Sequence, residues 1–222
     1  MDKMKYILII IVLAMCIVKN EASSWDNDKT HLDLARYAAE LSILKGDYLT
    51  NLGFSKGLLE TLAWDGTSNR TIDWIREGGK REDGNNREVN HFFNPLVETW
   101  TNAGLWGIWR PAVLWSQDSD RQSTWPYGSN ATPSNEVIQS LGYTSLSSNF
   151  PFEALSDWSW QTTRGYYYLA CTSTSTTVRE ANFAKMFRGL GQQMHLLQDM
   201  SVPMHVRNDS HLFNRWIEEW VA

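Results

Sequence analysis

Apolar positions recur along this chain mostly at the three- and four-residue spacing of helices, interrupted by polar stretches. Leu32, Ala35, Ala38, Ala39 and Leu41 fall at helical spacing. They predict a helix that begins near Thr30, where Asp33 completes a capping-box-like pair, and runs up to Gly46. Shorter helical pieces are predicted over 55–63 and 71–77, and the stretch 78–90, GGKREDGNNREVN, reads as loop. Residues 96–109 are apolar and compatible with a helix despite Gly104 and Gly107. Residues 116–150 are rich in Ser, Asn, Gly and Pro and read as long surface loops, a length that is uncommon without a function. Two longer helices are predicted over 153–172 and 178–200, the second ended by Pro203. A last helix starts near Ser210 and still runs at Ala222 without a C-cap, as in a truncated chain. No internal repeat and no convincing alternating strand emerge, so the predicted fold is all-α, a single multi-helix domain.

Composition refines this picture in three places. With 222 residues and 42% hydrophobic content the chain can bury a sizeable core, and its 12 Trp are suited to wedging between helices. Lys3 and Lys5 precede an apolar run over 6–18, too short for a comfortable membrane span and suited to a signal-peptide core. Ala22, Ser23 and Ser24 then predict cleavage before Trp25, leaving a domain of residues 25–222 that is secreted or periplasmic. An uncleaved membrane anchor is the alternative; lipidation at Cys16 is disfavoured because Met15 stands where a small residue is expected. The whole chain carries 20 Lys and Arg against 25 Asp and Glu. Residues 1–24 hold three Lys, one Asp and one Glu, so 17 basic and 23 acidic groups remain beyond them, a net of −6. Such a balance is poorly suited to steering a polyanion, although bound metal would reverse the local field. Cys171 is the one cysteine left after residue 24, which excludes an intrachain disulfide and leaves packing or metal to stabilise the fold.

The stretch 194–206, MHLLQDMSVPMHV, carries the chemistry. His195 and Asp199 are four apart on a predicted helix and so share a face, and His205 follows just past Pro203. Imidazole nitrogen and carboxylate oxygen are ligand types that zinc takes in catalytic sites. Alone, such a pair is more often a hydrogen-bonded core pair. The other three His alter that balance. His31 opens the first helix, six residues after Trp25. His91 opens HFFNP after the acidic stretch containing Glu82 and Asp83, and His211 lies seven residues before Glu218, two turns along one face. Each His thus has a carboxylate or a terminal amine with which to share a metal.

In order and number these positions resemble the family of bacterial zinc-dependent phospholipases C and fungal single-strand-specific zinc nucleases. The resemblance runs from Trp25 to about Trp220 through short, scattered motifs. It implies an all-helical fold with three zinc ions at the bottom of a cleft. It further implies that the amino group and carbonyl of Trp25, made N-terminal by processing, bind one metal together with His31. Asp83 in REDG matches the family's loop Asp, a ligand that is also a candidate general base. His91 matches the His of the His-Phe-Tyr-Asp-Pro segment, with Phe93 and Asn94 as departures. His195, Asp199 and His205 match the His-x3-Asp-x5-His core, in which the Asp bridges two metals. The final carboxylate is displaced: Arg215 stands four residues after His211, and an insertion of about one turn brings Glu218 into the slot, with Glu219 as the alternative.

The implied activity is phosphoric-ester hydrolysis, phospholipase C-like, with phospholipid at a membrane surface as substrate and Asp83 as the catalytic base. HFFNP and the Pro-Met-His segment look more like the phospholipase branch; single-stranded nucleic acid is the runner-up substrate. A non-catalytic, zinc-stabilised exported binding domain is the alternative from another class. Trp100, Trp106, Trp109 and Trp115, or Phe92 and Phe93, are candidates to line the cleft, with core packing the preferred reading for most of them. No protein partner is implied, and a monomer is expected.

Overall fold

The computed structural model describes residues 29–42, 45–84, 87–97, 103–105, 109–117 and 158–208. Within them the chain is mostly helical. In chain order the elements are α1 (Thr30–Leu41), α2 (Asp47–Asn51), β1 (Thr61–Trp64), β2 (Thr67–Arg70), α3 (Thr71–Glu82), α4 (Ala112–Gln117), α5 (Trp160–Thr172), α6 (Thr176–Asp199) and α7 (Pro203–Arg207). No helix among the described residues is long and apolar enough to cross a membrane.

Several expectations need correction. The first helix is not capped by Thr30: Thr30 is its first residue, Lys29 is the N-cap without a side-chain cap, and the helix ends at Leu41 rather than Gly46. The segment predicted as a helix over 55–63 is a 3-10 turn, Gly57–Leu59, followed by strand β1. That strand and β2 form an antiparallel hairpin, against the expectation of no strand, with Trp64 opposite Thr67. The turn between them is Asp65-Gly66, both at positive φ (51° and 73°), as the tight two-residue turns that match strand twist require. Pro203 does not end the long helix, which stops four residues earlier. It opens α7, where a missing N–H costs nothing. Leu96 lies in a turn and Val97 in a bend rather than a helix, and 98–102 and 106–108 lie outside the described residues. Also outside are most of the predicted 116–150 loops, the N-terminal 1–24 segment and the helix expected from Ser210.

The largest revision concerns 78–90. Helix α3 does not stop at Glu77 but continues through Gly78 and Gly79 to Glu82. Two adjacent glycines are poor helix formers, which is why the stretch reads as loop. Packing overrides the propensity. A Cβ on Gly78 would lie 2.0 Å from the Arg188 carbonyl oxygen of α6, and one on Gly191 would lie 1.9 Å from the Ile75 carbonyl oxygen of α3. The glycines therefore let α3 and α6 cross backbone to backbone. Asp73 in the first turn and Lys80 and Arg81 in the last suit the helix dipole.

Below this crossing lies an apolar core of Phe54, Leu62, Trp74, Ile75, Phe183, Ala184 and Phe187, joined by Ala35 of α1 and Ala170 of α5. The hairpin is tied to it by Trp74, whose Nε1 donates to the Leu62 carbonyl at 3.0 Å. Helices α5 and α6 each begin with a serine cap, Ser159 accepting from the Thr162 N–H and Ser175 from the Val178 N–H. Above the crossing the interior changes character, and the C-terminal ends of α3 and α6 meet in a polar centre.

Candidate metal centre

Three chain segments supply this centre. Helix α3 ends at Glu82 and is capped by Asp83, so the next carboxylate projects from the helix end. The short turn Glu88–Asn90 then delivers His91. From the other side, α6 brings His195 and Asp199 on one face, and α7 turns His205 back toward them. Helix α1 adds His31. His31, His91, His195, His205 and Asp199 are all buried, none more than 3% exposed.

Asp83, His91, His195 and Asp199 each present a ligand atom within 4.8 Å of the others. His195 Nε2 lies 3.2 Å from Asp83 Oδ1 and 3.2 Å from Asp199 Oδ2, and His91 Nδ1 lies 3.5 Å from Asp83 Oδ1 and 2.7 Å from Asp199 Oδ2. Ligands about 2.0 Å from a tetrahedral ion stand about 3.3 Å from one another. Three of the four separations match that edge, and the fourth is shorter by about half an ångström. His195 Nε2 is buried and makes no hydrogen bond, despite two carboxylate oxygens nearby. Its position between oxygens, aligned with neither, suits a cation that all of them face. The donor set is therefore one that can hold a metal ion.

Hydrogen bonds behind the histidines fix which nitrogen faces the centre. His195 Nδ1 donates to the Gly79 carbonyl at 2.7 Å, His31 Nδ1 to Gln198 Oε1 at 2.7 Å, and His205 Nδ1 to the His91 carbonyl at 3.1 Å. A carbonyl oxygen only accepts, so in each ring the lone pair is left on Nε2. His31 Nε2 faces Asp199 Oδ1 at 3.5 Å. His91 is turned the other way, with Nδ1 toward the centre. The rings also pack on one another, His31 on His195 with centroids 3.8 Å apart and Phe92 on His205 at 4.5 Å.

Electrostatics at the centre favour positive charge. Burial pulls His195 down, but the charges of Asp83 and Asp199 outweigh it and raise the ring well above its ordinary value. His91 behaves alike, burial opposing and Asp199 prevailing, and is raised to about 9. Burial pushes Asp199 up, yet His195, His205 and His91 together hold it well below the usual carboxylate range. His31 is lowered, by burial first and then by the charge on His195. Burial raises the neighbouring Glu88 carboxyl to about 7.

Of the positions expected from sequence, His31, Asp83, His91, His195, Asp199 and His205 are brought together, with His31 and His205 flanking the four-residue group around Asp199. Trp25, His211, Glu218 and Glu219 lie outside the described residues, as do Trp100 and Trp106. Phe92 and Trp115 are core residues, 6% and 2% exposed, and do not line an open cleft. Sequence reasoning did not anticipate what supports the ligands: the Gly79 carbonyl, Gln198 and a buried group of Glu82, Arg87 and Trp115. Glu82 is 0% exposed and is paired with Arg87 at 2.8 Å. Burial would raise its carboxyl, but Arg87, then His91 and Trp115, hold it at about 2. A hint of this was present in the sequence, since a Glu directly before a candidate ligand and five residues before an Arg is a plausible buried pair.

No family model, curated protein or solved structure matches the chain. Its chemistry therefore rests on the residues themselves.

Proposed function

We propose that this chain is an exported zinc-dependent phosphoric-ester hydrolase, phospholipase C-like, with a phospholipid as substrate. The observation that carries this reading is the convergence of Asp83, His91, His195 and Asp199, from segments more than a hundred residues apart, into one buried group that can hold a metal ion. In this reading Asp83, His91, His195 and Asp199 hold one zinc, and His31 shares Asp199 with a second, completed by the N-terminus at Trp25. His205, His211 and Glu218 hold a third. Zinc, when bound, would supply Lewis acidity toward a phosphoryl oxygen and lower the pKa of its bound water to about 7.

The chain's own residues have separable tasks. Of the two carboxylates of the group Asp199 is the more deeply buried and stays ionised, so it anchors positive charge among the histidines. Asp83 is the least buried of the four, and through it the group meets solvent. In this reading it orients or deprotonates the water that attacks phosphorus. His195 and His91 are held in fixed orientations, which keeps the reacting geometry preorganised.

The test is direct. The chain from Trp25 is expressed, its zinc content is measured, and hydrolysis of phosphatidylcholine and of single-stranded DNA is assayed. About three zinc per chain with lipid cleavage is the expected result. DNA cleavage instead would move the substrate to nucleic acid, and zinc without turnover would favour a structural, zinc-stabilised binding domain. Asp83→Asn is expected to abolish turnover, by on the order of a thousandfold or more, while leaving the fold intact; retained activity would overturn the role given to Asp83.

A further inference from the structure

One ligand of the proposed metal group is oriented differently from the rest. Three histidines donate Nδ1–H to a carbonyl or amide oxygen and keep Nε2 as the lone-pair nitrogen. His91 presents Nδ1 to Asp199 and Asp83. Its Nε2 points to the opposite side, where Glu82 Oε1 lies 3.7 Å away, an ion-pair separation rather than a hydrogen bond. That carboxylate is buried and held from two directions. Arg87 donates to it from Nε and Nη2 at 2.8 to 3.1 Å, and Trp115 Nε1 donates to Oε1 at 2.8 Å. The Arg87 guanidinium also lies over the Trp115 ring, 4.9 Å from its centre, so the three side chains form one packed unit.

We infer that Glu82 is the positioning residue of His91: its buried negative charge, fixed by Arg87 and Trp115 on the Nε2 side of the ring, favours the proton on Nε2 and leaves Nδ1 for the metal. Burying an ion pair is a weak source of stability, because desolvation offsets most of the attraction. A buried Glu-Arg pair directly behind a ligand imidazole is better explained by what it does to that imidazole. A carboxylate behind a ligating histidine fixes its tautomer and ring plane and raises its basicity. The arrangement also explains why Glu82 and Asp83 are adjacent. The last helical residue of α3 faces inward to support His91, and the capping residue reaches the metal side.

This inference rests on the metal reading above, and the experiment separates the two. Zn2+ affinity of the 222-residue chain is measured by competition with a chromophoric chelator, and the Co2+-substituted protein is read by its visible absorption. The expected result is that Glu82→Gln weakens Zn2+ binding about 10- to 100-fold and alters the Co2+ band, while circular dichroism stays that of the parent. A merely structural role for Glu82 would lower thermal stability and leave the Co2+ spectrum of the folded protein unchanged. Should Glu82→Gln not fold, Trp115→Phe decides. It keeps an aromatic ring under Arg87 and the Glu82–Arg87 pair but removes the donor that holds Oε1, and a smaller loss of affinity with the same spectral change is expected. Parent-like affinity and spectrum in the folded variant would overturn the inference alone. A parent chain that binds no Zn2+ would overturn the metal reading and this inference with it.

Discussion

Helix α6 is buried along one face for most of its length, yet its two halves are built on opposite chemistry. The N-terminal half presents Phe183, Ala184, Met186 and Phe187 to the core; the C-terminal half presents Gln192, His195 and Asp199. The glycine crossing with α3 separates them. In the first half burial itself is the driving force, since removing apolar surface from water stabilises the fold without requiring particular partners. In the second half burial is a cost, met only by opposite charges, by the Gly79 carbonyl and, in our reading, by metal. One helix thus anchors the fold at one end and exposes it to solution conditions at the other.

That contrast has measurable consequences. The largest belongs to the apolar half: Phe183 is 1% exposed and packs edge-on against Phe54 at 4.8 Å. Phe183→Ala is expected to cost about 3–5 kcal/mol in urea unfolding, by equal amounts with and without chelator. A chelator-dependent cost there would mean that the two halves are coupled. In the polar half the outcome reverses. At free Zn2+ one hundred times its Kd, metal should add about 3 kcal/mol to the parent, and chelation should remove it. In Asp199→Asn the difference between melting curves with and without chelator should vanish; an unchanged difference would place the metal elsewhere.

A third expectation concerns acid. The folded-state carboxyl of Glu82 is depressed to about 2 from its ordinary 4.5. Its stabilising effect is therefore fully present above about pH 4.5 and is lost as pH falls toward 2. At about 1.4 kcal/mol per unit it amounts to about 3 kcal/mol at most. Unfolding of the metal-free protein, compared with Glu82→Gln between pH 6 and pH 3, should show the two curves converging on the acid side. A gap that stayed constant with pH would show that the Arg87 pairing does not control the ionisation.

Legibility from sequence followed the range of the interactions involved. His195 and Asp199 are separated by one helical turn, so their shared face is readable from spacing alone, and each of the five His could be matched with a carboxylate or a terminal amine. The two long C-terminal helices were readable for the same reason, although Pro203 proved to open a helix rather than close one. The hairpin was missed although Asp65-Gly66 is a strong turn signal, because its strands are only four residues each and one is polar throughout. Helix α3 was cut short at Gly78-Gly79, where local propensity pointed to loop and a distant helix decided otherwise.

By itself the sequence determined a mostly helical chain and a short roster of metal-type ligands, because helical periodicity and ligand chemistry are properties of near neighbours and residue types. Only the tertiary structure decided which of these side chains meet and which ring nitrogen each histidine offers. It alone placed Glu82, Arg87 and Trp115 behind His91. Those facts depend on a backbone contact between α3 and α6 across more than a hundred residues, and no local pattern encodes the close approach that Gly78 and Gly191 permit.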